Sequence, residues 1–353
     1  MEKPPKEQPA ALVLVGAAAE SILDRRADLR NAVRDYIEKS EAASTRRARF
    51  SDWNVFTSWC CEHGVAAMPA APETMAAFLA DQSNGTPGRE PKAVATLIRY
   101  SRSISAQHRI AGFPSPTEDE LVRKELQGIR RARGMRTKQK EPLTAALLAE
   151  VLGEYERQNA SRPTMVIRDR ALILLGLATA LRRSELCGLD VEDLHDVDGG
   201  VVIDLRRSKT DQEGRGRVVA AQRLDPEFAR FCPVSAVEAW LEVAQRERGP
   251  LFSGLKRNQA PKTTRLTEDH VGVVVRRVAA AGGIENFEEF GAHSLRAGYV
   301  TTARQQGVDW GAIMEQTGHR RLETVKLYAR YTPDVFVATR VGEVFKNAFR
   351  SKA

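Results

Sequence analysis

The sequence predicts a mainly helical chain with a small β-sheet, an α+β class, built in two parts. Three observations predict it. Apolar residues recur at helical spacing from residue 22 to 133. A basic, apolar-poor stretch breaks that pattern at 134–141. Beyond it, one β-branched hairpin interrupts a run of further helices. For 353 residues, two domains of ordinary size is the expectation.

Residues 1–21 read as a disordered, weakly helical tail. Lys3 and Lys6 before Ala10–Ala19 loosely mimic a secretory signal, but Glu2, Glu7 and three prolines spoil the basic leader. Ile22, Leu23, Leu29, Val33 and Ile37 mark a first helix over 22–41. Ser44-Thr45 offers a cap for a second, which holds Trp53, Phe56, Trp59 and Cys60 and ends near Gly64. Glu73–Asp81 makes a short third helix, followed by the turn-rich SNGTPG. Ala93–Arg109 and Pro116–Arg133 complete a helical domain over 22–133, with 134–141 as its linker.

The second domain, 142–353, starts with Pro142 and a helix over Leu143–Gln158. Val166–Leu181 is so apolar that it must be buried on several sides. VVIDLRRS then runs into DQEGRG, and RVVAAQR returns, which is a hairpin pattern. Pro233 opens a helix over Val234–Arg246, closed by Gly249 and Pro250. From there the chain reads as mostly helical to its end, including an amphipathic stretch over Asp334–Phe349 (Val335, Phe336, Val341, Val344, Phe345).

Composition excludes several classes. Hydrophobic residues at 42% and charged ones at 28% are ordinary for a globular chain, not for a disordered or collagen-like one. The longest nearly apolar run is Ala171–Leu181, far short of the roughly 20 residues a bilayer span needs, so no membrane association is expected. Cys60, Cys61, Cys187 and Cys232 form no C-x-x-C pair and suggest neither a disulfide framework nor a zinc site. That usage fits a reducing cytoplasm. No P-loop, G-x-G-x-x-G or H-E-x-x-H occurs, so ATP, NAD and zinc hydrolysis lack support. DVDGG at 196–200 fails as a calcium loop because its twelfth position is Arg207. Asp190, Glu192 and Asp193 read as a polar, capped turn rather than a magnesium cluster. No metal or cofactor is expected.

The formal charge of +8 is unevenly spread. Residues 121–140 hold eight basic side chains and one acid. Arg130, Arg131, Arg133, Arg136, Lys138 and Lys140 are therefore candidates for tracking DNA phosphates, where each cation displaces condensed counterions. The same charge also suits a solvated helix end, and charge alone does not choose.

Scattered residues of the second half offer anion chemistry. Arg182 closes the apolar helix in TALRRSELCGL, so it is held by a buried element; Ser184 is placed to cap the next helix and Glu185 to brace an arginine. Lys209 lies at or near the hairpin tip in RRSKTDQEG. His293 and Arg296, in GAHSLRAG, share one helix face at i and i+3. His319 follows Gly318, Tyr328 comes nine residues later, and Tyr331 three beyond that. A phenol with a pKa of about 10 is a poor nucleophile unless cations or a base activate it. The other residues could provide them.

The order Arg…Lys…His-x-x-Arg…Gly-His…Tyr resembles the tyrosine recombinase (phage integrase) family, which includes the Cre and Xer recombinases. TALRRSEL is similar to that family's first arginine box, usually TGLRxSE, with Ala180 replacing the glycine and Arg183 an extra cation beside Arg182, which falls on the box position. SKTDQEG resembles its hairpin-lysine segment, HSLR its H-x-x-R box, and GH with Tyr328 its final box; Tyr331 has the wrong spacing. The resemblance covers 142–353 by motif. Over 25–133 it is looser and rests on helical content and segments such as STRRARFSDWNVFTSWC.

The resemblance implies a helical core-binding domain and a mixed α/β catalytic domain, a C-shaped clamp on double-stranded DNA. It implies strand cleavage and rejoining without metal or ATP. Tyr328 would form a 3′-phosphotyrosine, Arg182 and Arg296 would grip the phosphate, and His319 would hydrogen-bond to it. His293 would help take the tyrosine proton, Lys209 would protonate the leaving 5′-oxygen, and Glu185 would orient an arginine. A terminal helix exchanged between subunits would give a homo-tetramer on two DNA sites, with a monomer possible without DNA, in the cytoplasm at the nucleoid. The rival readings are a type IB topoisomerase-like relaxer and a non-enzymatic DNA-binding regulator of the same fold.

Overall fold

The computed structural model describes residues 28–29, 31–32, 35–36, 41–134, 139–206 and 216–328. The N-terminal tail, most of the helix expected over 22–41, Arg136 and Lys138, the hairpin tip with Lys209, Tyr331 and the stretch 334–349 all lie outside them. The chain divides into two compact units, residues 1–137 and 138–353.

The described part of the first unit is helical: α1 (Ala43–Glu62), α2 (Pro72–Asn84), α3 (Val94–Ile110) and α4 (Glu120–Arg133). Ser44 and Thr45 do not cap α1; they lie inside its first turn, after Ala42. Phe56, Trp59, Met75, Phe78, Leu97, Ile104 and Val122 form the core. The Phe56 and Phe78 rings meet edge-on at 5.1 Å, the arrangement their quadrupoles favour. Polar groups inside find partners, among them Trp59 Nε1, which donates to Asp81 (3.0 Å), and buried Asp52, which accepts from Ser103 (2.8 Å) and pairs with Arg99 (3.1 Å). Before α4, Asp119 Oδ1 accepts from Leu121 N, so the expected fifth helix starts at Glu120 after a 3₁₀ turn.

The second unit begins with α5 (Ala145–Gln158), two residues later than the sequence suggests because Thr144 accepts from Leu147 N and acts as the cap. The apolar α6 (Pro163–Thr179) is the central element, buried on several sides. A short α7 (Arg183–Gly188) leads to β1 (Leu194–Val197), β2 (Gly200–Leu205) and β3 (Arg217–Gln222), an antiparallel sheet in the order β1-β2-β3. The expected hairpin is β2–β3; β1 is an added edge strand whose outward polar residues hid it. DVDGG spans the tight β1–β2 connection, and Asp190 and Asp193 cap the 3₁₀ turn that precedes β1, where Asp190 N donates to Asp193 Oδ2 (2.9 Å).

After α8 (Pro233–Ala244) the described chain is mostly helical as expected, with one addition. A two-stranded ribbon, β4 (Ser253–Leu255) and β5 (Pro261–Arg265), precedes the last helices. Its strands are short and polar, with PKTTR mostly exposed, so no apolar alternation announces them. Then follow α9 (Glu268–Ala281), α10 (Ala292–Gln305), α11 (Trp310–Thr317) and α12 (Leu322–Lys326). The molecule is thus mainly helical with small antiparallel sheets. All four cysteines are free. Among the described residues no helix is long and apolar enough to cross a membrane, and no acid, His or Cys cluster could hold a metal.

α6 anchors the second core. Leu172, Ile173, Leu175 and Leu177 pack with Trp240 of α8, Val274 and Val275 of α9 and Leu295 of α10. Within that core Asp169 accepts from Tyr155 (2.7 Å), Arg168 (2.6 Å) and Arg277 (2.8 Å), a carboxylate with every lone pair engaged. Gly298 lets α10 approach the start of α5, since a Cβ there would stand 1.9 Å from the Leu143 carbonyl oxygen. The glycine of HSLRAG thus fixes how deeply α10 carries Arg296 inward.

Candidate active site

Four segments far apart in sequence deliver the cluster. α6 ends at Thr179, and Ala180 bends the chain in the left-handed region (φ 50°). Arg182 therefore does not close the apolar helix; it is the cap residue of α7, and Ser184 lies within that helix rather than capping it. Glu185, buried in the first turn of α7, accepts from Arg182 twice, from the backbone N (2.9 Å) and from Nη1 (2.7 Å). The neighbouring arginines part ways. The Arg182 side chain is 15% exposed. That of Arg183 is 49% exposed and turns to Glu268 and Asp269 on α9.

α10 supplies Arg296, which is 1% exposed. Its Nη1 donates to Ala180 O (2.7 Å), and its Nη2 donates to Thr317 O (2.6 Å) and lies 3.0 Å from His319 Nε2. Burial, then Arg182, push this guanidinium down to about 10, which leaves it a cation at neutral pH. His293 is exposed in the first turn of α10, one helical turn before Arg296.

α11 ends at Gly318, whose φ of 67° turns the chain so that His319 folds back. Thr317 Oγ1 donates to Ile313 O (2.6 Å) and stands 2.7 Å from His319 Nδ1. Burial and then the Arg296, Arg182 and Arg217 charges push the His319 imidazole down to about 3, so it is neutral at pH 7. In the tautomer this geometry favours, Nδ1–H donates to the threonine and Nε2 accepts from Arg296.

Tyr328 follows α12 and is half-buried. Its ring centroid is 5.3 Å from that of His319 and 6.0 Å from the Arg296 guanidinium carbon. Thr301 of α10 donates to its backbone oxygen (3.0 Å), and its ring packs on a small apolar cluster of Val300, Ala303, Ile313 and Val325. Arg182, Glu185, Arg296, His319 and Tyr328 thus come together. Lys209 lies outside the described residues.

A third cation in the cluster was missed by the sequence reading. Arg217, first residue of β3, donates from Nη1 to Gln316 O (3.0 Å) and lies 3.5 Å from Glu185 Oε2. Burial lowers its pKa, with Glu185 opposing and Arg182 adding to the shift. The only signal in the sequence was an arginine at the foot of the returning strand. Three guanidiniums thus face one carboxylate and a neutral imidazole. Such a site attracts an anion, and planar guanidinium forks suit the paired oxygens of a phosphate.

The remaining candidates are elsewhere. Arg130 and Arg131 are exposed at the end of α4. Arg133 turns back onto its own unit and donates to Ser83 O (2.7 Å) and Lys92 O (2.9 Å). In the second unit, Lys140 Nζ donates to Glu288 O (2.8 Å).

The chain matches the phage integrase family over residues 154–334. It is 36% identical over 298 residues to an integrase/recombinase XerD homologue of Selenomonas ruminantium, with 83% of each chain covered. It is 26% identical over 294 residues to the tyrosine recombinase XerC of Mycobacterium tuberculosis, covering 83% of this chain and 89% of that one. In fold it is similar to the XerH site-specific recombinase bound to palindromic difH substrate, with a TM-score of 0.53 at 19% identity over 81% of this chain and 75% of that one. It is also similar to a lambda integrase dimer bound to a COC′ core site, with a TM-score of 0.51 at 16% identity over 85% and 93%. With the arginine, H-x-x-R, Gly-His and tyrosine boxes all inside the matched span, the chain belongs to the phage integrase family of tyrosine recombinases, enzymes that cleave and rejoin DNA.

Proposed function

We propose that this recombinase acts at specific DNA sites through a covalent 3′-phosphotyrosine on Tyr328. The observation that carries the reading is the approach of the Tyr328 ring to the guanidinium of Arg296 and the imidazole of His319. Phosphoryl transfer asks for positioning and charge neutralisation more than for covalent help. Arg182 and Arg296 grip the non-bridging oxygens of the scissile phosphate. The phenol oxygen attacks phosphorus, the Tyr–O–P bond forms, and the bond to the 5′-oxygen breaks. His293 helps take the phenol proton and Lys209 gives one to the departing 5′-oxygen. Attack by the 5′-hydroxyl of another strand reverses the step, so the ester's bond energy is kept and neither ATP nor metal is needed. Glu185 orients Arg182.

For His319 to donate to the phosphate, the proton must sit on Nε2. The Thr317 hydroxyl then turns from Ile313 O to donate to Nδ1, and phosphate oxygens replace the imidazole as the partner of Arg296. The 2.7 Å contact between Thr317 and His319 supports that exchange.

On this reading the first unit is the core-binding domain, and Arg130, Arg131 and neighbouring cations track the DNA backbone. The assembly is a homo-tetramer on two duplex sites, with a monomer possible without DNA, in the cytoplasm at the nucleoid. The test is trapping. Incubated with nicked target duplex, the full chain forms a covalent adduct and Tyr328→Phe forms none; an adduct with the Phe variant overturns the assignment. Lys209→Ala loses cleavage of ordinary DNA but keeps it when a bridging 5′-sulfur makes a leaving group that needs no proton. Failure of that rescue removes the acid role of Lys209.

A further inference from the structure

Arg217 belongs to none of the boxes that carry the resemblance, yet it touches two of them. It pairs in register with Leu205, so it stands where β2 and β3 stop pairing. From there Nη1 reaches Gln316 O (3.0 Å), at the end of α11. Nη2 lies 3.5 Å from the Glu185 oxygen that also accepts from the Arg182 backbone. A Cβ on Gly318 would stand 3.0 Å from both Cζ and Nε of Arg217, so the guanidinium presses close against the glycine that precedes His319. Gln316 returns the contact, donating to Ala220 O on β3 (2.9 Å) and Ala178 O on α6 (3.1 Å).

Arg296 laces the same two segments from its own side, through Ala180 O and Thr317 O. The end of α11 is therefore tied twice to the segment that runs from Ala180 into α7, by Arg296 at Ala180 O and by Arg217 at Glu185. We propose that Arg217 is a positioning residue of the recombination site, tying the turn that carries His319 to the carboxylate that holds Arg182. This rests on the reading of the cluster as the phosphate site.

Packing alone would not ask for this side chain. Its Nε is buried with no hydrogen-bond partner, an unmade bond that an apolar side chain of similar volume would avoid. The guanidinium supplies what an apolar group does not: two donors in one plane pointing to different segments, and a charge that helps keep His319 neutral. The arrangement also accounts for glycine before the histidine on two counts, the left-handed backbone and the cation close against it.

The experiment uses the full chain and the nicked duplex recovered by trapping. Arg217→Lys and Arg217→Gln are each expected to slow adduct formation at saturating DNA by about tenfold or more, while the Kd for that duplex stays within about twofold, since misplacing a catalytic group costs rate before affinity. In protein carrying ¹³C-histidine, Arg217→Gln raises the titration midpoint of His319 and Arg217→Lys does not. Gly318→Ala costs less thermal stability in an Arg217→Ala background than in the unaltered chain, because the clash is gone. Wild-type adduct rates in a folded Arg217→Gln protein overturn the proposal, as do additive losses from Gly318→Ala and Arg217→Ala. An adduct that persists with Tyr328→Phe instead sinks the reading of the site; the histidine titration and the stability cycle then still judge Arg217 on their own.

Discussion

Two arginine-rich regions of this molecule can be set side by side. At the end of α4, Arg130 and Arg131 are exposed cations on a helix surface. Around His319, Arg182, Arg217 and Arg296 come from three elements and are largely removed from water. The first region is conspicuous in composition and loosely held. The second is invisible to composition and fixed by hydrogen bonds to carbonyls and to Glu185. The contrast teaches that charge density along a chain finds where nucleic acid can be attracted, whereas chemistry needs charges whose orientation is set before the substrate arrives.

Arg296→Ala should have the largest effect. Removing one preorganised cation costs about 10²–10³-fold in cleavage rate, read as single-turnover adduct formation. Salt-sensitive DNA binding alone, with cleavage preserved, would erase the contrast with α4. Next is Arg182→Ala, which removes the 2.7 Å partner of the buried Glu185 carboxylate and leaves it the residue-182 backbone N and the more distant Arg217. About 2 kcal/mol of stability is expected to go, the worth of one hydrogen bond to a charged group, measured by urea unfolding, and part returns in the Arg182→Ala/Glu185→Gln double variant.

Arg133→Ala belongs to the first region by sequence and to the second by behaviour. It removes donors to Ser83 O and Lys92 O, so it should lower stability by about 1–2 kcal/mol with little change in the salt dependence of DNA binding. Arg130→Ala and Arg131→Ala should do the reverse. Each reduces the slope of log K against log salt by about 1, with stability unchanged.

The remaining prediction is pH dependence from His319. Its folded pKa lies near 3, below the 6.5 of a free imidazole, so between those values the unfolded chain binds the extra proton. This contribution to stability is complete above about pH 7 and is lost as pH falls from 6.5 towards 3. The stability difference between the natural chain and His319→Gln should therefore shrink on moving from pH 7.5 to 5.

Much of this was legible in the sequence, for identifiable reasons. Long helices such as α3 and α6 announce themselves by apolar period and by flanking glycine and proline. The β2–β3 hairpin shows in its β-branched residues. The ribbon β4–β5 did not, because PKTTR is polar and short, and β1 did not, because three of its four residues face water. At the site, Arg182 could be preferred over Arg183 only by motif position, while burial separates them at once. Arg217 was passed over because its importance lies in where Gln316 and Gly318 come to rest, and no local pattern encodes that. Ser184 looked like a cap because its residue type favours one, yet the chain bends earlier, at Ala180.

That bend has a thermodynamic corollary. Ala180 sits where most side chains prefer not to, and its carbonyl is pinned by the same Arg296 that lies against His319. Under the proposed reading of Arg296 as a phosphate ligand, occupancy and backbone strain are coupled through one shared ion, and coupling of this kind runs equally in both directions. Relaxing the corner by Ala180→Gly should register as altered grip on phosphate, although the exchanged atoms never meet it.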